Sequence, residues 1–369
     1  MLTGVYLRMS TVRFLDVDML RDFVKDVCFG LGVPKDDASI CSDVMIAADL
    51  RGIESHGVQR LKSYYYNPLK EGRQSPITQI TQVKETPTTA RLDGGHGMGQ
   101  VASYHAMKLA IKKAKEFGTG AVSVGNSTHF GIAGYYSLMA IQENMIGIAV
   151  TNTRSIVAPT FGIEQMMGTN PISIGCPTDE KFPFLLDFAT SIVPQGKIEV
   201  FARAKKAIPE GWAIDEKGAI STDSEKILNG ILNGNAALLP IGGIGELLGG
   251  HKGYGLSVVV EILSAALWGG PFMKDLHDDK GHQLGQFFLA IDPESFIELD
   301  TFKRVAGEIC RTLRASKKAP GQDHIYTAGE KEYNTEIERR KTGIPISESV
   351  LPEFVFMNSD LGLNYQFDV

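Results

Sequence analysis

The chain has 369 residues, of which 43% are hydrophobic and 22% are charged, and this composition is typical of a globular protein with more than one domain. The formal net charge of −6 disfavours nucleic acid as a partner, because such partners select basic surfaces. No run reaches the roughly 18 apolar residues that a membrane span needs, so we predict no membrane segment.

The four cysteines, Cys28, Cys41, Cys176 and Cys310, are scattered along the chain without the close spacing of zinc or redox motifs. We interpret them as reduced thiols, which favours a cytoplasmic protein. Residues 1–9 also lack the long apolar stretch of a secretory signal.

Apolar residues at helical spacing predict two helices near the start of the chain, over Asp16–Leu31 and from Pro34 to about Leu50. Alternating residues then predict paired strands over Ile80–Lys84 and Thr89–Leu92. A further helix is predicted over Val101–Phe117.

The middle of the chain alternates between strand and helix patterns, with a strand over Gly120–Val124, a helix over Gly134–Asn144 and a strand over Ile146–Thr151. This succession predicts an α/β core. The later predicted elements are a helix over Tyr254–Trp268, a strand over Phe287–Ile291 and a long amphipathic helix over Pro293–Ser316.

The usual dinucleotide-binding fingerprint is missing from the sequence. Gly95 and Gly97 begin one G-x-G pattern, but Gln100 stands where the third glycine is needed. Gly243 and Gly245 begin another, which fails because position 248 is leucine. Short glycine motifs therefore do not indicate a nucleotide-binding enzyme.

The segment Arg51–Arg60 carries the first candidate site. His56 and Arg60 are four residues apart and Tyr64 is four further on, so a helix here would place all three on one face. An imidazole for proton transfer, a guanidinium for a carboxylate and a phenol suit an anionic 2-oxo acid. A capped helix start with a surface arginine explains the same pattern.

Four other segments are rich in glycine and small polar residues, at 125–131, 168–171, 187–191 and 249–255. The first follows a predicted strand and contains His129, and ligands gather at strand ends in open sheets. The last leads into a helix, whose N-terminus favours anions. Ordinary turns remain an alternative for each of them.

A cluster of potential metal ligands lies late in the chain, within a loop that also contains glycine and lysine. It lacks a recognised metal-binding spacing, so we predict a solvated loop and no metal site. Its members are Asp275, His277, Asp278, Asp279 and His282.

Taken together, these segments resemble the malate/L-lactate/L-sulfolactate dehydrogenase-like family, which also includes ureidoglycolate dehydrogenases and diketogulonate reductases. The resemblance covers nearly the whole chain, and residues 151–160 and 161–168 look most like its malate dehydrogenase branch. The matching motifs are Ser55-His56-Gly57, Ser127-Thr128-His129-Phe130-Gly131, Gly168-Thr169-Asn170-Pro171, Asp187-Phe188-Ala189-Thr190-Ser191, His251-Lys252-Gly253 and Ala328-Gly329-Glu330.

The resemblance implies an α/β fold with a family-specific, non-Rossmann dinucleotide-binding domain and a mostly helical domain built from both chain ends. In this chain residues 76–289 would form the dinucleotide-binding domain. Residues 1–75 together with 290–369 would form the helical domain for substrate binding and dimerisation, and the protein would be a homodimer.

The resemblance also implies roles for individual residues. His56 and His129 are the candidate catalytic acids or bases. Ser55, Arg60 and Tyr64 would bind the substrate, and Arg154 would hold a second carboxylate, contact a phosphate or lie at the surface. The implied cofactor-binding residues are Thr151, Asn152, Thr153, Thr169, Asn170, Pro171, Asp187, Phe188, Ala189, Ser191, His251, Lys252, Gly253, Gly329, Glu330 and Lys331.

The function implied by the resemblance is an NAD- or NADP-dependent oxidoreductase that interconverts a 2-hydroxy acid and a 2-oxo acid, with (S)-malate and oxaloacetate as the expected pair. The alternatives are reduction of another 2-oxo acid or of a cyclic imine acid. A dimer that binds the dinucleotide without catalysis is the alternative of a different class.

Overall fold

The computed structural model describes residues 12–278 and 281–367 of the chain. Residues 1–9 therefore lie outside the described residues. So does Asp279 of the loop with the potential metal ligands, residues 275–282, which we call the acidic loop. Within the described part, the acidic loop forms a short hairpin in which His277 pairs with His282. No cluster of metal-ligating side chains was found in the described ranges.

Strands and helices alternate through the described residues. The strands are β1 (Val12–Leu15), β2 (Thr81–Glu85), β3 (Thr89–Asp93), β4 (Thr119–Ser127), β5 (Ile146–Thr151), β6 (Ile172–Cys176), β7 (Phe184–Phe188), β8 (Ala213–Ile214), β9 (Ala237–Leu238), β10 (His277–Asp278), β11 (Gly281–His282), β12 (Leu284–Ile291) and β13 (Ile344–Ser347). The α-helices are α1 (Val17–Gly30), α2 (Lys35–Leu50), α3 (Asn67–Lys70), α4 (Gly99–Phe117), α5 (Ala133–Gln142), α6 (Gln195–Arg203), α7 (Ser224–Leu232), α8 (Gly250–Glu261), α9 (Leu299–Ala315), α10 (Glu330–Thr342) and α11 (Leu351–Asp360).

The central sheet has seven strands in the order β2-β3-β4-β12-β5-β6-β7. Only β3 and β4 pair in parallel, and every other neighbouring pair is antiparallel. The predicted α/β class is confirmed. A mixed sheet of this order differs from the parallel sheet of the doubly wound dinucleotide folds, which agrees with the missing glycine fingerprint.

Strand β12 lies between β4 and β5, so the two strands joined by α5 are not neighbours. Leu284 at the start of β12 pairs with Ser127 at the end of β4, and Gln286 pairs with Thr151 at the end of β5. The C-terminal ends of both strands therefore lie at one edge of the sheet. The loops that carry His129 and Arg154 begin there.

A helical core is built from both ends of the chain. The rings of Phe354 and Phe367 lie 5.4 and 4.8 Å from that of Phe23 in α1. Strand β1 pairs with β13, with Val12 opposite Ser347. The buried apolar residues of this core come from α1, α2, the following turns, the start of α4, β13 and α11. The division into two domains stays a prediction.

Two predicted elements need correction. The helix predicted over Pro293–Ser316 begins only at Leu299, because residues 293–295 form a separate 3₁₀ turn capped by Asp292. The helix predicted from Tyr254 begins earlier, at Gly250, and continues beyond Glu261 as a wider π-type turn. The chain after residue 317 contains α10, β13 and α11, for which the sequence pattern predicts no element. Among the described residues, no helix combines the length and apolarity needed to cross a membrane.

Candidate active site

The segment after α2 is not the continuous helix that would place His56, Arg60 and Tyr64 on one face. It consists of 3₁₀ turns over Glu54–His56 and Val58–Arg60, followed by a π-type turn that contains Tyr64. Gly57, between the first two turns, has extended backbone. The irregular path nevertheless brings the predicted side chains together.

The buried carboxylate of Asp49 holds this irregular segment. Its Oδ2 accepts a 2.7 Å hydrogen bond from the backbone N–H of Val58. A Cβ on Gly57 would lie 1.9 Å from Oδ1 of Asp49, so only glycine allows the turn to pass this close. Burial raises the pKa of Asp49 to about 8. The side chain thus prefers its neutral form at neutral pH.

His56 directly precedes Gly57, and its side chain is paired with that of Ser55. The Oγ of Ser55 is 2.8 Å from Nδ1 of His56, and Nε of Arg60 donates to the carbonyl oxygen of Ser55 at 3.3 Å. Burial, and to a smaller extent the charge of Arg60, lower the pKa of His56 to about 4. The ring is therefore neutral near pH 7 and able to accept a proton.

The loop that carries His129 is anchored at the neighbouring residue, Thr128. Its hydroxyl donates to the carbonyl of Gly97 at 2.8 Å and accepts from the backbone N–H of Gly99 at 3.0 Å. Its carbonyl accepts from Nε2 of Gln286 in β12 at 3.1 Å. Strand β12 and the start of α4 therefore fix the position of His129.

The ring of His129 contacts both tyrosines that precede Tyr66. The hydroxyl of Tyr65 is 2.7 Å from Nδ1 of His129, and the backbone N–H of Gly131 donates to the same nitrogen at 3.4 Å. A backbone N–H can only donate, so Nδ1 is an acceptor and the neutral ring carries its proton on Nε2. Tyr64 packs edge-on against this ring, with 4.9 Å between centroids.

The two candidate catalytic histidines are stacked. The ring centroids of His56 and His129 are 5.4 Å apart, with an angle of 20° between the planes. The guanidinium carbon of Arg60 lies 5.7 Å from the ring centre of Tyr64. Ser55, His56, Arg60, Tyr64 and His129 therefore form one continuous group of side chains.

Arg154 is joined to this group through one face of α6. It donates to Oε1 of Gln195 at 2.7 Å, and Nε2 of Gln195 donates to Oε1 of Glu199 at 3.0 Å. The other oxygen of Glu199 lies 3.7 Å from a terminal nitrogen of Arg60. Two guanidinium groups thus converge on the same helix.

Several predicted cofactor residues form a buried polar network beside this group. The Oδ1 of Asn152 accepts from the backbone N–H of Gly285, and Oδ1 of Asn170 accepts from that of Thr153. The amide nitrogen of Asn170 donates to Glu261 of α8 at 3.3 Å. Both asparagine side chains are fully buried, so they connect β5, β6 and α8 and shape the surface through the backbone.

The hydroxyl groups of this region mostly bond within the protein. Thr151 donates to the carbonyls of Asn152 and Gly285, and Ser191 donates to that of Val193. Thr153 and Thr169 lie at the partly accessible edge of the region, 3.3 Å apart between hydroxyl oxygens. Other predicted residues there, also partly accessible, are Pro171, Phe188 and Ala189.

Asp187 holds the N-terminus of α5. Its Oδ2 accepts from the backbone N–H of Gly134 at 2.7 Å, where the helix dipole favours a negative charge. Burial raises the pKa of Asp187 to about 6, against the opposing effects of this N–H and of the Arg51 guanidinium. The carboxylate therefore links the end of β7 to the loop after His129.

The N-terminus of α8 is more open than that of α5. His251 and Lys252 are exposed there, beside a cavity of about 390 Å³ that Lys252 and Gly253 help to line. The loop before the helix passes so close that a Cβ on Gly250 would lie 2.0 Å from the carbonyl oxygen of Gly243. An open helix N-terminus with a lysine suits a phosphate group.

The predicted residues of the tail lie beside β7. The carbonyl of Ala328 accepts from the backbone N–H of Leu185 at 3.1 Å, which places Gly329 against that strand. Glu330 is buried and pairs with His324 at 2.8 Å. Lys331 is exposed, and its Nζ lies 4.6 Å from the ring centre of Tyr326.

Sequence reasoning missed three residues of this site. Tyr65 was passed over because helical spacing selected Tyr64, whereas the π-type turn directs both tyrosines towards His129. Asp49 fits the pattern of helix α2, and nothing in the sequence indicates that its side chain contacts the turn at Gly57 and Val58. Glu199 lies in a segment for which no element was predicted.

The family described as malate/L-lactate dehydrogenase matches residues 15–354 of the chain. Malate dehydrogenase of Pyrococcus horikoshii is 51% identical over 338 residues, which cover 91% of this chain and 92% of that protein. L-sulfolactate dehydrogenase of Methanocaldococcus jannaschii is 40% identical over 349 residues, covering 94% and 96%. The crystal structure of malate dehydrogenase from Entamoeba histolytica superimposes with a TM-score of 0.94 at 44% identity, covering 97% of this chain and 100% of that one.

We predict that Asp49→Asn changes how stability depends on pH. Because the pKa of Asp49 is about 8 in the folded chain and about 3.9 in an unfolded one, the native state holds the extra proton between these values. Stability supported by that proton is present near pH 4 and is lost as the pH rises towards 8, by up to about 1.4 kcal/mol per pH unit.

Thermal unfolding from pH 4.5 to 8.5 measures this effect. The unfolding temperature of Asp49→Asn should change less with pH across this range than that of the unmodified chain. Asp36→Asn, at an exposed position of the same helix, is the control and should keep the original dependence. Equal pH dependence for all three proteins would contradict the assignment.

We predict that Tyr65→Phe lowers kcat about tenfold, because Nδ1 of His129 loses its closest donor and the ring loses its orientation. The imidazole ¹⁵N spectrum should also change from a fixed Nε2–H tautomer to a mixture. Tyr66→Phe is the matched control, since that neighbouring hydroxyl donates to Asp360. An unchanged tautomer, with kcat falling equally in both variants, would refute a positioning role for Tyr65.

Proposed function

The chain belongs to the malate/L-lactate dehydrogenase family, and we propose that it interconverts (S)-malate and oxaloacetate by hydride transfer with a nicotinamide dinucleotide. Membership of this family makes it an oxidoreductase of 2-hydroxy acids. The choice of malate rests on one observation above all, the convergence of Arg60 and Arg154 on α6.

Two guanidinium groups suit a substrate with two carboxylates. Arg60 adjoins the stacked histidines, so it is the candidate anchor for the carboxylate beside the reacting carbon. Arg154 is reached from Arg60 through only Glu199 and Gln195. It is the candidate anchor for the distal carboxylate, which malate has and lactate lacks.

A histidine would transfer the proton on the substrate oxygen, and both candidates have features that support the role. His56 is neutral near pH 7 and can accept a proton when malate is oxidised. Burial and, to a smaller extent, the charge of Arg60 lower the pKa of His56. A substrate carboxylate on Arg60 would offset the second of these effects and so favour the protonated form. His129, with Nδ1 held by Tyr65, presents Nε2 as its donor.

The residues around α8 are chemically suited to a dinucleotide. Lys252 and the open helix N-terminus offer positive charge and N–H groups to its phosphates, beside the cavity of about 390 Å³. Thr153 and Thr169 offer hydroxyl groups near the strand ends. When bound, the nicotinamide ring donates or accepts the hydride.

We further propose that the protein is a cytoplasmic homodimer. The four cysteines are free thiols, as expected in a reducing compartment. Leu247 and Leu248, which are 100% and 83% exposed, closely follow Gly245, where a Cβ would lie 3.8 Å from the ring of exposed Phe161. A second copy of the chain would cover such exposed apolar side chains. Sedimentation of the purified protein measures the oligomeric state directly.

Steady-state assays with NADH and NADPH, each against oxaloacetate, pyruvate, sulfopyruvate and a cyclic imine acid, test the proposed function. We expect the highest kcat/KM with oxaloacetate, and the same assays reveal the preferred dinucleotide. Preference for sulfopyruvate would retain the family reaction and replace malate as the substrate, because a sulfonate also suits Arg154. Folded protein that binds NADH but turns over none of these compounds would favour the non-catalytic alternative.

Substitution of Arg154 tests the distal-carboxylate role. We expect Arg154→Gln to raise KM for oxaloacetate by about 10- to 100-fold, the effect of losing one charge-assisted contact, and to leave pyruvate kinetics nearly unchanged. Arg203→Gln is the control, since Arg203 contacts the same Glu199 from an exposed position. Equal losses on both substrates would exclude Arg154 as the group that distinguishes them.

A further inference from the structure

We infer that Glu199 is a resident counter-ion of Arg60, which the substrate carboxylate must displace, and that it thereby determines how strongly the site discriminates among anionic substrates. The inference rests on the proposed function, because it takes Arg60 as the carboxylate anchor. It assigns a specificity-determining role to a residue that is not among the candidate substrate ligands.

The position of Glu199 is fixed by the packing of α6. Ile198 is buried in a separate apolar core, and Ala202, four residues later on the same side of the helix, is also buried. Gln195 and Glu199, four residues apart, occupy a different face. Gly196 brings the start of the helix close to the site, since a Cβ there would lie 3.4 Å from a terminal nitrogen of Arg60.

The ion pair between Glu199 and Arg60 is loose. The closest N···O distance is 3.7 Å, and both side chains remain about one-quarter exposed, at 24% and 27%. Such a pair contributes little stability. A substrate carboxylate bound to the same guanidinium by two short hydrogen bonds would make a stronger contact, so exchange of one carboxylate for the other is favourable.

Glu199 is also linked to Arg154 by hydrogen bonds through Gln195. Gln195 donates to Glu199 and accepts from Arg154, so the carboxylate connects Arg154 with Arg60. The same carboxylate also lies 3.6 Å from exposed Arg203. A substrate with one carboxylate needs to displace Glu199 only from Arg60. A substrate with two brings a second negative charge close to the same glutamate, and the repulsion rises with that charge. Glu199 therefore opposes dianions more than monoanions.

Glu199→Gln tests the inference, because it removes the charge and preserves the length and hydrogen bonding of the side chain. We expect KM for oxaloacetate to fall by about three- to tenfold, as for the loss of one partly screened repulsion. KM for pyruvate should fall less, and kcat should stay within about twofold. Glu199→Asp, which retains the charge, should stay close to the unmodified enzyme.

Glu225→Gln, at an exposed position in α7, is the control for a general change in net charge and should leave KM unaltered. A higher KM in Glu199→Gln would show that Glu199 orients Arg60 instead of competing for it, and would overturn the inference. Equal changes for oxaloacetate and pyruvate would also overturn its specificity role.

Equilibrium binding of malonate, a dicarboxylate that cannot react, separates this inference from the proposed function. Tighter malonate binding by Glu199→Gln than by the unmodified chain would support the counter-ion role even if no 2-oxo acid were turned over. Turnover of oxaloacetate with malonate affinity unchanged by Glu199→Gln would support the proposed function and refute the counter-ion role.

Discussion

The insertion of β12 between β4 and β5 is the constraint on which the rest of the site depends. Antiparallel pairing on both sides of one strand brings the ends of β4 and β5 to one edge, although the connection through α5 runs between strands that do not touch. Gln286 of β12 then bonds to the carbonyl of Thr128, beside His129. A shift of β12 by one residue would turn this side chain to the other face of the sheet and release the loop.

Buried carboxylates hold the other segments of the site. Asp49 accepts from the backbone N–H of Val58, Asp187 from that of Gly134, and Glu261 from that of Met273. Burial raises the pKa of each, because the loss of hydration outweighs the hydrogen bonds and nearby charges that favour the ionised form. The segments at Val58, Gly134 and Met273 are therefore held by acids that are costly to ionise. Folding is coupled to the protonation of these acids.

The sequence predicts those parts of the structure that repeat a regular pattern. Helix α1 and strand β5 follow directly from apolar spacing. His56 and His129 lie in the ordered motifs of the family, and Arg60 and Tyr64 follow from their four-residue spacing after His56. No pattern predicts the order of strands in the sheet, because the position of β12 is decided by contacts distant in sequence. Tyr65 was missed for a related reason, since the π-type turn departs from the 3.6-residue period on which helix faces are predicted.

The arrangement of charge explains why the site would need a resident anion. Arg60 is permanently charged. Burial, and to a smaller extent this charge, lower the pKa of the adjacent His56. With Glu199 at 3.7 Å, that charge is only partly balanced, and it adds to the burial that keeps the histidine neutral before substrate binds. A substrate carboxylate held closer to the guanidinium would balance the charge more fully and would make a proton on His56 less costly. Substrate binding and proton uptake would then be linked through a single arginine. A substrate carboxylate would have to bind Arg60 more strongly than Glu199 of α6 does.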